Sequence, residues 1–272
     1  MTNYFKIEIP ISISEQSEIL IAELSYINFH GFEEEENSLS AYIDEKLFNE
    51  EELISLLSEQ NLTYTKSTIE ETNWNAKWES DFQPIIIDDF VAVRAAFHQP
   101  ILTVQHQIII TPKMSFGTGH HATTYLMLKQ MQTQQFAGKS VLDFGTGTGV
   151  LAILAKKLGA AKVVAIDNDE WSINNAKENI ETNDCKDIGL YQKDNLEGLE
   201  TFDLILANIN LGVLINSIEQ LKHVSKSTTK LLLSGFLTTD EEGLKDKFLS
   251  ECFIYESAVY KNNWVVMLLT KS

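Results

Sequence analysis

The chain has 272 residues, 44% of them apolar, enough for one large or two smaller globular domains. No run of about 18 apolar residues occurs, which excludes a membrane-spanning helix, and the opening MTNYFKIEIPISIS lacks the basic and apolar blocks of a secretory leader. The formal charge of −18 is concentrated in residues 1–82, which carry 18 acidic and 4 basic side chains, so a nucleic-acid partner is disfavoured and a basic one favoured.

Residues 3–9 alternate apolar and polar side chains as a strand does. Residues 14–28 place Ile19, Leu20, Leu24 and Ile27 along one helical face. Residues 31–43 are expected to form a hairpin with Asn37 and Ser38 at its turn. A helix over 48–59, apolar at Leu53, Ile54, Leu56 and Leu57, and a strand over 62–70 complete a βαββαβ order. That order is the ferredoxin-like arrangement, so residues 1–70 are expected to be a small α+β domain. Residues 71–84 form a linker with Trp74 and Trp78 four apart, a spacing that stacks side chains on a helix.

A second domain is expected over 85–272. It starts with strand-like runs at 85–97 and 102–110. From 140 onward, strands at 140–143, 162–167, 188–192, 202–208 and 230–236 alternate with helices at 149–159, 171–183, 211–224 and 239–250. Such alternation predicts an α/β fold with a largely parallel sheet covered on both faces. Strands at 252–260 and 263–270, with Lys261 and Asn262 between them, are expected to pair as an antiparallel hairpin. Cys185 and Cys252 have neither metal-knuckle nor redox spacing and suit a reducing cytoplasm.

The tetrapeptide FGTG occurs at 116–119 and again at 144–147. The second copy lies in Asp143-Phe144-Gly145-Thr146-Gly147-Thr148-Gly149, where a strand gives way to a helix. Glycines at such a junction allow a sharp turn and close approach of a ligand to backbone N–H groups. Strand 162–167 ends in Asp167, at the distance where an acid accepts hydrogen bonds from ribose hydroxyls. An adenosine-bearing cofactor is therefore expected. Gly147-x-Gly149-x-x-Ala152 also satisfies the permissive dinucleotide fingerprint, so a nicotinamide-dependent oxidoreductase is an alternative. Three features tip the choice: a carboxylate at Asp143 would crowd a pyrophosphate but suits the ammonium of a methionine moiety, Asn208 closes strand 202–208 at the same sheet edge, and the terminal hairpin departs from the usual dinucleotide-binding halves. Around the first copy, His120 and His121 have no third ligand at metal spacing, so no metal site is expected.

The Asp-x-Gly-x-Gly-x-Gly run with its downstream Asp167 resembles class I S-adenosylmethionine-dependent methyltransferases. Four further stretches narrow the resemblance to the methyltransferases that modify ribosomal large-subunit protein eleven. They are the linker NWNAKWESDFQP (73–84), the loop MSFGTGHHATT (114–124), Leu206-Ala207-Asn208-Ile209-Asn210 and Leu233-Ser234-Gly235-Phe236. The match is closest over residues 70–270, and Lys113 stands where the family loop commonly has glycine. The resemblance implies a Rossmann-like class I methyltransferase sheet and S-adenosylmethionine as cofactor. It implies lysine side chains and the N-terminal amine of a basic ribosomal protein as acceptors, in the cytoplasm.

On that reading the two FGTG stretches are two walls of one pocket rather than repeats. Thr118, Gly119 and His120 cover the cofactor, while Gly145, Gly147 and Gly149 expose backbone to it. Asp143 faces its amino end, directly or through water, Asp167 holds the ribose, and Asp194 or Asn195 borders the adenine. Asn208 orients the acceptor amine, unless it is only a capping residue at a strand end. A methyltransferase of the same fold acting on another protein or a small molecule is a further alternative. The Asn-Pro-Pro-aromatic motif used for planar nitrogens is absent at 208–210. The enzyme is expected to work as a monomer without direct contact to nucleic acid or membrane.

Overall fold

The structure, a computed structural model, describes residues 4–11, 14–35, 37–69, 82–112 and 121–272. Trp74, Trp78, Lys113 and the first FGTG lie outside the described residues. The chain divides into two compact units, residues 1–82 and 83–272.

In the first unit, β1 (Tyr4–Pro10), α1 (Ser14–Tyr26), β2 (Phe32–Glu35), β3 (Ser38–Asp44), α2 (Glu50–Glu59) and β4 (Thr65–Ile69) follow one another. The sheet order is β2-β3-β1-β4 with every neighbouring pair antiparallel, the ferredoxin-like topology. Alternate residues Ile7, Ile9, Leu39, Ala41 and Ile43 meet Leu20 and Leu24 of α1 and Leu53 and Leu57 of α2 in one core. Ile19 and Ile54 do not join them. They are 56% and 49% exposed, because each sits about 100° around its helix from a buried leucine. Ser17 takes the buried place on α1, its hydroxyl donating to Glu34 at 2.7 Å. Ser38 pairs with Glu35 and belongs to β3 rather than to the turn. Asn49 caps α2 by accepting from the N–H groups of Glu51 and Glu52.

The second unit opens with β5 (Ile85–Ile87), β6 (Val91–Ala95) and β7 (His106–Ile110), a small sheet with β6 central. Next comes α3 (Ala122–Met131), a helix with no counterpart among the expected elements. Thr123, Thr124, Leu126, Met127, Leu128 and Met131 are all buried, so the helix has little of the polar face by which helices are recognised. The main sheet uses β8 (Ser140–Phe144), β9 (Lys162–Asp167), β10 (Gly189–Gln192), β11 (Phe202–Asn208), β12 (Ser225–Leu237), β13 (Phe253–Lys261) and β14 (Trp264–Lys271). Between them run α4 (Val150–Lys157), α5 (Glu170–Thr182), α6 (Leu211–Asn216), α7 (Ile218–His223) and α8 (Glu241–Leu249).

The strand order is β10-β9-β8-β11-β12-β14-β13, parallel through β12, with β14 antiparallel to both neighbours. This is the Rossmann-like class I methyltransferase sheet. Alternate residues Leu142, Phe144, Val164, Ile166, Ile205, Ala207, Leu231 and Leu233 pack with Leu214, Leu221, Leu244 and Phe248 of α6, α7 and α8. The chain builds outward from β8 to β10 and then crosses to β11 on the other side of β8. The order therefore reverses between β8 and β11, and a crevice opens at their carboxyl ends.

Two details depart from the expected elements. The helix expected over 211–224 breaks at Ser217, whose N–H bonds to the carbonyls of both Val213 and Leu214. The terminal hairpin turns on Asn262 and Asn263, both at positive φ (50° and 64°), because Lys261 pairs with Trp264 inside the ladder. Two left-handed residues in a two-residue loop match the twist of the strands they join.

At the sheet's carboxyl edge the chain leaving β11 runs tightly over β12. Ile209 N–H donates to the Ser234 carbonyl at 3.1 Å. Gly235 has φ +97°, and a Cβ there would run into the Ile209 carbonyl. Gly235→Ala should therefore destabilise the protein by about 2–4 kcal/mol. Urea unfolding should show a lower midpoint at unchanged slope.

Candidate functional site

A cleft of about 490 Å³ occupies the crevice at the switch between β8 and β11. Four successive parallel strands contribute the residues that follow them. Phe144, Gly145 and Gly147 come from β8 and its turn, and Asp167, Asn168 and Ser172 from β9 and the start of α5. Lys193 and Asp194 follow β10, and Asn208, Ile209, Asn210 and Val213 follow β11. Gly235, Trp264, His121 and Thr123 close the remaining side.

The turn after β8 sets the cleft's floor. Gly145, Gly147 and Gly149 have φ of 76°, 55° and 80°, so every second residue is left-handed. Only glycine takes that conformation without steric cost. The N–H groups of Gly145 and Thr146 both donate to the Ile166 carbonyl at 2.9 Å, which ties the turn to β9. A Cβ on Gly145 would strike the Ile209 side chain, and one on Gly149 would come within 3.3 Å of Ala176 Cβ. Gly149 thus packs against α5 and starts α4; it does not line the cleft.

Asp143 is also placed differently from expectation. Its side chain is fully buried behind the turn and does not reach the cleft surface. Carboxylate Oδ2 accepts from the Thr146 hydroxyl at 2.6 Å and from the Ala152 N–H at 3.1 Å, while Oδ1 has no partner. The alternation of β8 explains the placement, since Asp143 faces opposite to Leu142 and Phe144 and meets the start of α4. Burial raises its pKa from 3.8 to about 7, against the lowering effect of the Thr146 and Ala152 bonds and helped by the nearby Asp167 charge.

Asp167, at the end of β9, is half-buried and lines the cleft. One oxygen accepts from Gly147 N–H at 2.9 Å and the other from Asp169 N–H at 3.1 Å. Asp194 lines the cleft as expected, but Asn195 does not. The Asn195 amide donates to Asp194 at 2.8 Å and its oxygen accepts from Glu197 N–H at 3.1 Å, so it shapes the turn that presents Asp194. Asn208 lines the cleft at the end of β11. Its Nδ2 donates to the Thr124 hydroxyl at 3.2 Å, and among the described residues Oδ1 has no partner.

Thr118, Gly119 and His120 lie outside the described residues. The adjacent His121 is the N-cap of α3, bonded to Thr123, with its ring edge-on to Trp264 at 4.7 Å.

The profile of the family described as ribosomal protein L11 methyltransferase (PrmA) matches residues 9–272. The chain belongs to the ribosomal protein L11 methyltransferase family. It is 37% identical over 259 residues to the ribosomal protein L11 methyltransferase of Bacteroides fragilis, covering 92% of each chain. It is 39% identical over 269 residues to that of Chlorobaculum parvum, covering 94% of this chain and 93% of that one. Among solved structures it is similar to the ribosomal protein L11 methylase of Lactobacillus delbrueckii subsp. bulgaricus. That match has a TM-score of 0.65 and 28% identity over 70% of this chain and all of that one.

Membership in the L11 methyltransferase family decides between the readings that the glycine run left open. It also directs attention to cleft residues that motif spacing missed. Lys193 directly follows a strand, and Ser172 lies three residues beyond the N-cap Asp169, so the rule that sites form at strand carboxyl ends could have found both. Trp264 begins an antiparallel strand, and only the strand order brings it to that edge.

The pH dependence of stability follows from Asp143. Its folded-state pKa lies above the unfolded value, so its contribution is complete below about pH 4 and is lost as pH rises to about 7. The swing is on the order of 4 kcal/mol. Asp143→Asn should flatten the fall of the urea midpoint between pH 4 and 8, and parallel profiles for the two proteins would refute the assignment.

Proposed function

We propose that this protein transfers methyl groups from S-adenosylmethionine to amines of ribosomal protein L11, both lysine side chains and the N-terminal α-amine. The observation that carries the reading is the cleft. A glycine floor without side chains lies beside Asp167 and Asp194, and the unpartnered Asn208 oxygen ends the neighbouring strand. An acidic, hydrogen-bonding cleft fits a cofactor that carries a ribose and two positive charges. A bound S-adenosylmethionine supplies a methyl group already activated on a sulfonium, so the protein's task is mostly positioning.

In this reading the backbone at Gly145 and Gly147 lies against the cofactor, Asp167 holds the ribose hydroxyls and Asp194 borders the adenine. Thr118, Gly119 and His120 cover it from the upstream segment. Asp143 acts from behind the turn, where it fixes Thr146 and the start of α4. Asn208 has its Nδ2 engaged by Thr124, so its oxygen is free to accept from the acceptor's N–H and aim the nitrogen lone pair.

The acceptor must be neutral to attack. A lysine near pKa 10.4 costs about 4.6 kcal/mol to deprotonate at pH 7, and an α-amine near 8 about 1.4 kcal/mol. Desolvation in the cleft lowers both costs by disfavouring the cation. A dedicated base is not required, since water can take the proton before the methyl moves.

Residues 1–82, with 18 acidic and 4 basic side chains, form the substrate-recognition unit of this reading. Their charge steers a basic ribosomal protein toward the enzyme.

Labelled S-adenosylmethionine incubated with this protein and a ribosomal fraction from a strain lacking it should mark L11, on lysine and α-amine positions by peptide mapping. Label on another protein, or on other atoms, would overturn the proposal. Asp167→Ala should weaken S-adenosylmethionine binding about 100-fold by calorimetry, the loss expected for charge-assisted hydrogen bonds. Asn208→Ala should lower kcat at least about tenfold and leave cofactor affinity within about threefold. Equal turnover would reduce Asn208 to a capping residue.

A further inference from the structure

The start of α3 meets the terminal hairpin through His121 and Tyr125, which are one turn apart. The His121 ring stands edge-on to Trp264, with centroids 4.7 Å apart. The Lys261 ammonium lies over the Tyr125 ring, 3.3 Å from its centroid. Lys261 and Trp264 are direct partners across the ladder of β13 and β14, so both side chains leave the same face of the hairpin. Partners so placed stand about 5 Å apart, and four helical residues rise about 6 Å. The spacings agree, and the helix takes hold of both strands at the hairpin tip. Thr124, on the same face of α3, bonds Asn208.

Trp264 lines the cleft, yet its backbone is held there by little. The pairing of β12 with β14 is interrupted between Leu233 and Phe236, around the left-handed Gly235. Past the interruption the ladder continues for two pairs, Phe236 with Val265 and Leu237 with Trp264. The Thr238 N–H then donates to the Asn263 carbonyl at 2.9 Å. On its other side Trp264 pairs with the last residue of β13, which is the edge strand of the sheet. A short ladder at a sheet margin opens more readily than the centre. The contacts to α3 add the constraint that this ladder lacks.

We infer that Lys261 and Tyr125 are positioning residues for Trp264: their cation–π contact clasps the hairpin tip to α3 and keeps the indole in the cleft wall. A cation is drawn to the face of an aromatic ring, so the contact fixes a direction as well as a distance. Neither residue lines the cleft itself. The consequence of the clasp for turnover rests on the proposed methyl-transfer reading; its effect on Trp264 does not.

Fluorine NMR of the full-length protein carrying fluorotryptophan tests the clasp, with the Trp264 resonance assigned by its loss in Trp264→Phe. Lys261→Met and Tyr125→Leu should each shift or broaden that resonance. Lys261→Arg and Tyr125→Phe keep a cation and a ring and should leave it at its wild-type position. In the double variant Lys261→Met with Tyr125→Leu the two effects should not add, as expected for partners in one contact. A resonance unmoved by Lys261→Met, or moved equally by Lys261→Arg, would overturn the clasp, and Lys261→Met alone decides this even if Tyr125→Leu does not fold. With L11 and S-adenosylmethionine as substrates, Lys261→Met should lower kcat at least threefold and Lys261→Arg should restore it. A shifted resonance with kcat unchanged would overturn the role in turnover. A wild type that methylates no L11 would overturn the methyl-transfer reading, and the fluorine spectra would still decide the clasp.

Discussion

The constraint on which the second unit depends is a backbone one: three left-handed residues within five, between β8 and α4. A turn of that shape lets the chain reverse at the carboxyl end of the sheet without a side chain entering the crevice. Its cost is conformational entropy, because three glycines are fixed that were the freest residues in the unfolded chain. Short-range bonds offset it. The Ile166 carbonyl takes two N–H groups, Asp143 binds Thr146 and Ala152, and Asp167 receives Gly147. Each anchor lies on β8 or on β9, so the turn is held by the centre of the sheet.

The two acids that support this turn do different work because they differ in solvent access. Asp143 is fully buried, one of its oxygens has no partner among the described residues, and burial makes its charge costly, which raises its pKa. Asp167 is half-buried and lines the cleft, with its two oxygens accepting from Gly147 and Asp169 N–H groups. A cation bound above the turn would favour the ionised form of Asp143.

Much of this arrangement was legible in the sequence, for identifiable reasons. Parallel strands buried on both faces read as short apolar runs, and 162–167 and 202–208 coincide with β9 and β11. The glycine run and Asp167 were legible because backbone conformation and strand ends leave residue-specific marks. Other features carry no local mark. Helix α3 is buried around most of its circumference and shows no periodic stripe. Asp143 was expected in the cleft because spacing along a motif does not reveal which face of β8 a side chain takes. Trp264 reaches the site through an antiparallel strand inserted between β12 and β13, a fact of topology alone.

Asn208 shows how one bond within the protein can fix which end of a side chain faces a cleft. An amide has one donor end and one acceptor end, and in this cleft the donor end is occupied by Thr124 of α3. The acceptor end is left buried and unpaired, a state that costs about 1–3 kcal/mol in the resting protein. A nitrogen bearing hydrogen relieves that cost, and a group without one cannot. The orientation of the amide is therefore itself a constraint on what the cleft can take at this point: a donor placed against Oδ1 would recover the lost hydrogen bond, whereas a group without N–H or O–H would leave the oxygen as costly as before.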